Sequence, residues 1–229
     1  MNKMLEFDAQ EIISDNYLKG FKDKQILITG ASGLLGIHFI SMLKMLKFNF
    51  ECVLIINSNP TSFFISIIDE DDRFTYFKYD LSKVNIQKEL DKYYFNFDII
   101  LHLATYGQPS KFMENEIKTI KLNTTTTMEL FELLKPKGKF LYISSSEVYS
   151  GLTTSFHKEQ EIGTTTPEHS RACYIEGKRC GEAICNIYHQ KGYNVKIMLL
   201  TADGKCEACG SENNIVRSSK VQGIKRGVL

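Results

Sequence analysis

A glycine-rich turn directly after the first strongly apolar segment constrains the fold of this chain most. Residues 27–36 read LITGASGLLG, so Gly30, Gly33 and Gly36 recur at every third position between a strand-like and a helix-like segment. In this context the first glycine permits a tight turn, the second lets backbone amides approach a pyrophosphate, and the third allows close packing of helix on strand. The helix N-terminus then favours an anionic group. The turn therefore predicts a binding site for the pyrophosphate of a dinucleotide. The alternative is a glycine turn that only reverses the chain direction.

Apolar runs and helix-length segments alternate along most of the chain. Six runs rich in Ile, Val, Leu, Phe and Tyr have the composition of strands. Four segments have helical length or spacing, and Pro136 is expected to stop the third of them. Strands that alternate with helices imply parallel strands joined by right-handed crossovers, so we predict an α/β fold with a Rossmann-like doubly wound parallel sheet. The predicted strands lie at 24–30, 51–57, 73–79, 97–104, 138–144 and 193–200, and the predicted helices at 34–47, 84–93, 112–135 and 171–190.

The charge balance narrows the classes of partner. Lys plus Arg (28) almost equals Asp plus Glu (27), so no overall field draws the chain to nucleic acid or to an anionic membrane. No apolar run approaches the roughly 20 residues that span a bilayer, and residues 1–10 lack the apolar core of a signal peptide. The six cysteines are too sparse for a disulfide scaffold. We therefore expect a cytoplasmic protein with reduced thiols, whose partners are small molecules or proteins.

The ends of the second and third predicted strands carry candidate contacts to the adenosine part of a dinucleotide. An acid normally binds the adenosine ribose at the end of the second strand, but this chain has Asn57 there. An amide can still bond a ribose and repels a 2′-phosphate less than a carboxylate does. Because no Arg or Lys stands beside Asn57 in the sequence, NAD is expected ahead of NADP. Asp80 could accept a hydrogen bond from the adenine amino group, or it could cap the following turn.

Further motifs follow the glycine turn in a characteristic order. They are HLA at 102–104, Asn123, SSSEVY at 144–149 and RACYIEGKR at 171–179, in which Tyr174 and Lys178 are four residues apart. Positions i and i+4 of a helix share a face, so the phenol and the ammonium can point into one cleft. Together the motifs resemble those of the extended short-chain dehydrogenases/reductases, in particular the sugar-nucleotide epimerase/dehydratase group. Within that group, the stretches around HLA and RACYIEGKR are most similar to those of UDP-glucuronate decarboxylases.

The resemblance implies roles for four side chains. Tyr174 would remove the proton of the sugar 4-hydroxyl as hydride passes to NAD, and Lys178 would stabilise the phenolate and hold the nicotinamide ribose. Ser145 would orient the same hydroxyl, and Glu147 would act as an acid/base or positioning group rather than as a surface carboxylate. The resemblance further implies cofactor contacts from Gly30, Ser32, Gly33, Leu34, Leu35, Gly36, Asn57, Asp80, Leu81, Leu103, Ala104, Thr105, Asn123, Tyr174 and Lys178.

The reaction implied most directly is the NAD-dependent conversion of UDP-glucuronate to UDP-xylose. A 4-keto group lies β to the sugar carboxylate and makes the loss of carbon dioxide possible, after which hydride returns to the sugar. Nucleotide-sugar 4,6-dehydratases and 4-epimerases share parts of the pattern and stay open as alternatives. The resemblance also implies a homodimer formed through the helices at 112–135 and 171–190.

The last part of the chain departs from this family. We predict three parts: a helical extension over 1–23, an NAD-binding Rossmann domain with the Tyr/Lys helix over 24–200, and an atypical tail over 201–229. Most of the usual C-terminal substrate region is expected to be missing through truncation, so a catalytically impaired NAD-binding remnant or assembly partner is a further alternative. Cys206 and Cys209 resemble half of a zinc knuckle, but a structural zinc site needs four ligands, so no metal is predicted. His102 is expected to be a buried or strand-end structural residue rather than a catalytic one.

Overall fold

A computed structural model describes residues 16–153, 157, 161–200, 220–221 and 224–225, together with the single positions 7 and 10. Most of the predicted N-terminal extension and of the predicted tail, including Cys206 and Cys209, lies outside the described residues. The chain divides into two compact units. The first comprises Met1–Ala104 with Leu133–Gly138, and the second comprises Thr105–Glu132 with Lys139–Leu229.

The first unit contains four parallel strands in the order β3-β2-β1-β4. Ile26, Leu27 and Ile28 of the central strand are fully buried, as expected for a parallel strand whose two faces are both covered. The chain runs outward from β1 to β3 and then returns to the other side of β1. The direction of winding therefore reverses between β1 and β4. The strands are β1 (Gln25–Thr29), β2 (Glu51–Ile56), β3 (Phe74–Lys78) and β4 (Phe97–His102).

Three α-helices connect these strands. The first packs against the second, and right-handed crossovers place both on one face of the sheet and the third on the other. Thr61 and Asn85 cap the second and third helices, because their side-chain oxygens accept backbone N–H bonds from Phe64 and Lys88. The helices are α1 (Leu34–Met45), α2 (Ser62–Ile68) and α3 (Ile86–Asp91), and a 3-10 helix (Asn16–Phe21) precedes β1.

The second unit contains a parallel pair of strands, and its longest helix packs on one of them and on three shorter α-helices. β5 begins in the segment 134–138 of the first unit and continues into the second unit, where Lys139 pairs with Asn194. A 3-10 turn (Ser146–Tyr149) follows β5 directly. The elements are β5 (Leu134–Ser145), β6 (Asn194–Leu200), α4 (Pro109–Glu114), α5 (Glu116–Asn123), α6 (Thr125–Glu132), α7 (Ala172–Gln190) and the antiparallel pair β7 (Lys220–Val221) and β8 (Ile224–Lys225).

All six predicted strands are present, and the doubly wound parallel arrangement is confirmed. One predicted helix is wrong in its extent. The segment 112–135 contains breaks at Asn115 and Thr124, and at each break the side chain bonds the carbonyl four residues earlier, which competes with regular helix geometry. The helical part ends at Glu132, so Pro136 lies inside β5 and does not follow a helix. The seven-residue α2 was not predicted, because its apolar sequence SFFISII is too short to show a helical period.

Candidate functional site

The glycine turn of the first unit requires glycine on steric grounds at two positions. Gly30 has a φ of +68°, and a Cβ there would lie 2.8 Å from the backbone nitrogen of Ala104. A Cβ at Gly36 would lie 2.4 Å from the carbonyl oxygen of Ala31. The turn therefore brings three backbone segments into direct contact, which no side chain would permit.

Helix α1 begins in this turn without a side-chain cap. Gly33 is its N-cap in extended conformation, and its own amide donates to the Gly30 carbonyl over 2.9 Å. Gly33 and Leu34 are exposed, whereas Ser32 and Leu35 are half-buried. A helix start with no capping side chain and with an exposed glycine at its N-cap fits the pyrophosphate of a dinucleotide, to which the amides of the first turn would donate.

The segment after β4 is held against the glycine turn by a buried polar contact. The Thr29 hydroxyl bonds Nδ1 of His102 at 2.8 Å, and the Ala104 amide donates to the same hydroxyl at 3.3 Å. The Leu103 amide donates to the Thr29 carbonyl. His102 is 3% exposed at the end of β4, so its predicted burial is confirmed. Thr29 bonds the His102 ring and also holds the amides of Leu103 and Ala104, where cofactor contacts are predicted.

The predicted adenosine contacts lie after β2 and β3. Asn57 is exposed just beyond β2. The Asp80 carboxylate accepts the Ser82 amide at 3.1 Å and the Ser82 hydroxyl at 2.6 Å, and it pairs with Lys83 at 3.7 Å. Asp80 thus caps the turn that follows β3, which was the alternative to binding the adenine amino group. Leu81 beside it is buried.

A lysine that sequence analysis did not associate with Asn57 lies close to it on the neighbouring strand. Lys78 is paired with Ile56 in the β2–β3 register, and its ammonium donates to Oδ1 of Asn59 at 2.6 Å. Lys78 is far from Asn57 along the chain, and only the strand register brings it next to the end of β2.

Tyr174 and Lys178 lie one turn apart on α7 in the second unit. The phenol ring of Tyr174 stacks on Phe112, with 4.5 Å between ring centroids and an interplanar angle of 8°. Burial raises the pKa of the Tyr174 phenol above its ordinary value, whereas a side-chain hydrogen bond with Ser145 opposes this rise. Ser145 ends β5, so its hydroxyl is positioned by the strand. The structure therefore brings the Tyr174 and Ser145 side chains together, and their roles in proton transfer stay a prediction.

The Lys178 ammonium is buried beneath Tyr174. Its Nζ donates to the Ile143 carbonyl at 2.6 Å and lies 5.6 Å from the centroid of the Tyr174 ring. Burial lowers the pKa of Lys178 to about 7, and the carboxylate of Glu182 opposes this shift. Lys178 is only 1% exposed, so its ammonium is shielded from bulk water. Its charge can consequently act on its surroundings with little screening.

Glu182 was not predicted from the sequence. It follows Lys178 by one further turn of α7 and is buried, and its carboxylate accepts a 2.5 Å hydrogen bond from the Ser144 hydroxyl. The four-residue spacing from Lys178 was a signal that could have identified it. A buried carboxylate on this helix face favours the charged form of the lysine.

Asn123 is at the centre of a buried hydrogen-bond network behind the Tyr/Lys helix. Its amide nitrogen donates to the Thr105 hydroxyl at 3.1 Å and to the Thr119 carbonyl at 2.8 Å. Its side-chain oxygen accepts from the Tyr142 hydroxyl at 3.1 Å. A Cβ at Gly181 would lie 2.1 Å from that Tyr142 oxygen, so α7 can approach the network only through a glycine. Asn123 and Thr105 are thus fixed relative to α7.

Glu147 is tethered to an arginine of the RACYIEGKR stretch. Its carboxylate accepts from Nη2 of Arg171 at 2.5 Å, and the Arg171 guanidinium lies 5.5 Å from the centroid of the Phe112 ring. Arg171 therefore contacts the same phenylalanine that supports Tyr174. Sequence analysis assigned no role to Arg171, because its partner is 24 residues away in the chain.

Among the described residues, no three His, Cys, Asp or Glu side chains lie together in a way that could hold a metal ion. Within the same part of the chain, no helix is both long and apolar enough to cross a membrane.

A winding parallel sheet with a glycine cradle, together with a Tyr-x-x-x-Lys helix beside a strand-end serine, defines an α/β protein of the dinucleotide-binding class. The sequence model of the NAD dependent epimerase/dehydratase family matches residues 26–202. The chain belongs to this family.

The curated relatives include several UDP-glucuronic acid decarboxylases. UDP-glucuronic acid decarboxylase 1 of Xenopus tropicalis is 33% identical over 177 residues, which are 76% of this chain and 40% of the relative. UDP-glucuronic acid decarboxylase 1 of Arabidopsis thaliana is 29% identical over 215 residues, which are 90% of this chain and 46% of the relative. The chain thus spans less than half the length of these relatives.

Solved structures support the fold. A UDP-N-acetylglucosamine 4-epimerase from Methanobrevibacter ruminantium matches with a TM-score of 0.60 at 21% identity, covering 77% of this chain and 54% of the other. A dTDP-glucose 4,6-dehydratase from Streptomyces venezuelae, solved with NAD bound, matches with a TM-score of 0.60 at 18% identity, covering 76% and 55%. These similarities confirm the Rossmann-like fold.

Proposed function

We propose that this chain contributes to NAD-dependent modification of a UDP-linked sugar through a 4-keto intermediate, and specifically to the decarboxylation of UDP-glucuronate to UDP-xylose. The observation that carries the proposal is the position of the Tyr174 phenol one helical turn from the buried Lys178, whose Nζ lies 5.6 Å from the centroid of the Tyr174 ring. The similarity to UDP-glucuronic acid decarboxylases supports the choice of substrate. The residues at the start of α1 would hold NAD, whose bound form would supply reversible hydride transfer with the sugar.

The first unit would hold the adenosine and pyrophosphate of the cofactor. The amides at the start of α1 donate to the pyrophosphate in this proposal, and the absence of a Cβ at Gly30 keeps the backbone close-packed below it. Leu103 and Ala104 are fixed beside this turn by Thr29 and His102. These residues bind and orient the cofactor and take no part in proton transfer.

Tyr174 would act as the base that removes the 4-hydroxyl proton. A phenol with a pKa near 10 needs roughly 4 kcal/mol of differential stabilisation to act as a base at neutral pH. Burial raises the pKa of Tyr174 and so acts in the wrong direction. The compensating stabilisation would come from the Ser145 hydrogen bond, from the Lys178 ammonium and from the positive charge of oxidised nicotinamide.

Loss of carbon dioxide would follow from the chemistry of the oxidised sugar. The electrons of the breaking bond between the carboxylate and C5 delocalise into the 4-keto group, and the resulting enolate is then protonated. Glu147, held by Arg171, would position the substrate or donate this proton. A hydrogen-bonded Glu147 supports a defined role more strongly than a solvated surface carboxylate would.

Incubation of the full chain with NAD and UDP-glucuronate should release carbon dioxide and UDP-xylose. Tyr174→Phe is the matched control, because phenylalanine preserves the stack on Phe112 and removes only the hydroxyl. Binding of UDP-glucuronate without formation of any product would contradict the decarboxylase assignment.

Two other functions are favoured by specific observations. The similarity to solved 4-epimerases and a 4,6-dehydratase favours those reactions, which can be separated by assaying UDP-glucose, dTDP-glucose and GDP-mannose in parallel. The glycine turn, which would bind NAD without any contribution from Tyr174, favours an NAD-binding assembly partner without turnover. Tight NAD binding with no turnover of any sugar nucleotide would support that role, and robust turnover that Tyr174→Phe abolishes would exclude it.

We further propose a homodimer and a cytoplasmic location. Large apolar side chains on α5, α6 and α7 are exposed, and exposed apolar surfaces of this kind commonly form protein interfaces. The described cysteines Cys52, Cys173, Cys180 and Cys185 are free thiols, which suits a reducing compartment. Light scattering after size exclusion should give twice the chain mass, and Ile117→Glu should shift it towards a single chain. The exposed apolar residues are Ile117, Ile120, Met128 and Ile187.

A further inference from the structure

The loop after β2 and the end of β3 form a small polar surface, which we call the ribose-edge cluster: Asn57, Ser58, Asn59 and Lys78. We propose that this cluster accepts the 2′-phosphate of a phosphorylated dinucleotide, with Lys78 as its cationic partner, so that the chain binds NADP(H) as well as NAD(H). This inference rests on the proposed dinucleotide site and adds the selectivity of that site at the adenosine ribose.

Hydrogen bonding places the cluster beside the phosphate cradle. The Ala31 amide, inside the glycine turn, donates to the Ile55 carbonyl at 3.1 Å, so the end of β2 is directly next to the turn. The Tyr79 amide donates to the Ile56 carbonyl at 2.9 Å, which extends the pairing with β3 past Lys78. A dinucleotide whose pyrophosphate lies at the start of α1 presents its adenosine ribose to the end of the second strand.

The donors available at this position suit a phosphate. Lys78 has three N–H donors, and its bond to Oδ1 of Asn59 holds the ammonium next to the loop. Asn57, Ser58 and Asn59 are exposed and add neutral amide and hydroxyl donors. Neither residues 56–60 nor residues 75–79 contain an Asp or Glu, so both segments lack the carboxylate that would repel a 2′-phosphate.

One carboxylate lies nearby along the chain. Asp80 is two residues beyond Lys78, and its charge is partly compensated by hydrogen bonds from Ser82 and by the ion pair with Lys83. The Lys78 ammonium would therefore attract a bound phosphate. The Asp80 carboxylate would repel it only weakly, because Ser82 and Lys83 offset its charge.

Isothermal titration calorimetry of the full chain with NADH and with NADPH tests the proposal, and it needs no turnover. We expect the wild-type dissociation constant for NADPH to be no more than about threefold weaker than that for NADH. Lys78→Gln should weaken NADPH by about tenfold while changing NADH by less than about twofold, because only the phosphorylated form loses a charge-assisted bond. Asn57→Asp should likewise weaken NADPH selectively.

Lys44→Gln is the matched control. It removes the same charge from the same unit, but Lys44 is in the last turn of α1 and bonds the Asp69 carbonyl instead. NADPH binding more than about threefold weaker than NADH binding in the wild type, or an equal effect of Lys78→Gln on both ligands, would overturn the proposal while leaving the proposed function intact. Failure of the wild type to bind either dinucleotide would overturn both.

Discussion

The glycine turn of the first unit and the Tyr/Lys helix of the second unit achieve their geometry by different physical means. The turn is made of backbone, and its shape depends on atoms that are absent at Gly30 and Gly36. Tyr174 and Lys178, in contrast, depend on side-chain surroundings. Burial shifts the pKa values of both residues, and neighbouring side chains oppose those shifts. We infer that substitutions in the turn act on folding and cofactor binding together, whereas a substitution that keeps the ring of Tyr174 acts on chemistry without a change in stability.

The largest expected effect is on turnover, from Tyr174→Phe. Loss of a general base costs about 10²–10⁴-fold in rate, so kcat should fall within that range. The melting temperature should stay close to wild type, because the ring stack on Phe112 is retained. Steady-state kinetics and calorimetry measure these quantities, and turnover within tenfold of wild type would disprove the assignment of Tyr174 as the base.

Gly30→Ala is expected to damage folding and dinucleotide binding together. A non-glycine residue at φ +68° is strained by about 1–3 kcal/mol, and the Cβ contact of 2.8 Å with Ala104 adds to this cost. The free energy of unfolding in denaturant should therefore fall by about 3 kcal/mol. Gly107→Ala is the matched control, since a Cβ there meets nothing within 4 Å. Equal stability of the two variants would show that the turn is not sterically constrained.

Ser145→Ala should have an intermediate effect that is specific to chemistry. The Ser145 hydrogen bond lowers the pKa of Tyr174, so its removal should raise that pKa and move the basic dependence of kcat to higher pH. A hydrogen bond to a charged group contributes about 1.5–3 kcal/mol, which corresponds to about a 10- to 100-fold loss in rate at neutral pH. If kcat falls but its dependence on pH keeps the wild-type position, Ser145 has a role other than lowering the pKa of Tyr174.

The smallest expected effect concerns stability and pH. Lys178 has a folded-state pKa of about 7, lowered by burial from 10.5, so between these values the unfolded chain binds more protons than the folded chain. Stability from this group therefore rises with pH, by about 1 kcal/mol between pH 7 and 8. Lys178→Met should abolish this rise in the free energy of unfolding. A variant with the same pH dependence as wild type would show that Lys178 is not the group responsible.

The sequence contained enough information to predict the strands and the glycine turn, but not the surroundings of Lys178. Apolar runs bounded by polar residues identify β1 to β6 because parallel strands bury both faces. Glycine spacing identifies the turn because its geometry is local. The pairing of Glu147 with Arg171, the proximity of Lys78 to the loop after β2 and the bond between Ser144 and Glu182 depend on strand register and helix packing. These are long-range properties, which periodicity along the chain does not encode.

The close contact at Gly181 has a consequence for the order of events in folding. Asn123, Tyr142 and Gly181 come from three separated segments, and they meet only when α7 lies against the Tyr142 hydroxyl. Bringing segments this far apart in the chain into contact costs loop-closure entropy, which their packing has to offset. During synthesis, α7 can therefore dock against Asn123 and Tyr142 only once residue 181 has left the ribosome.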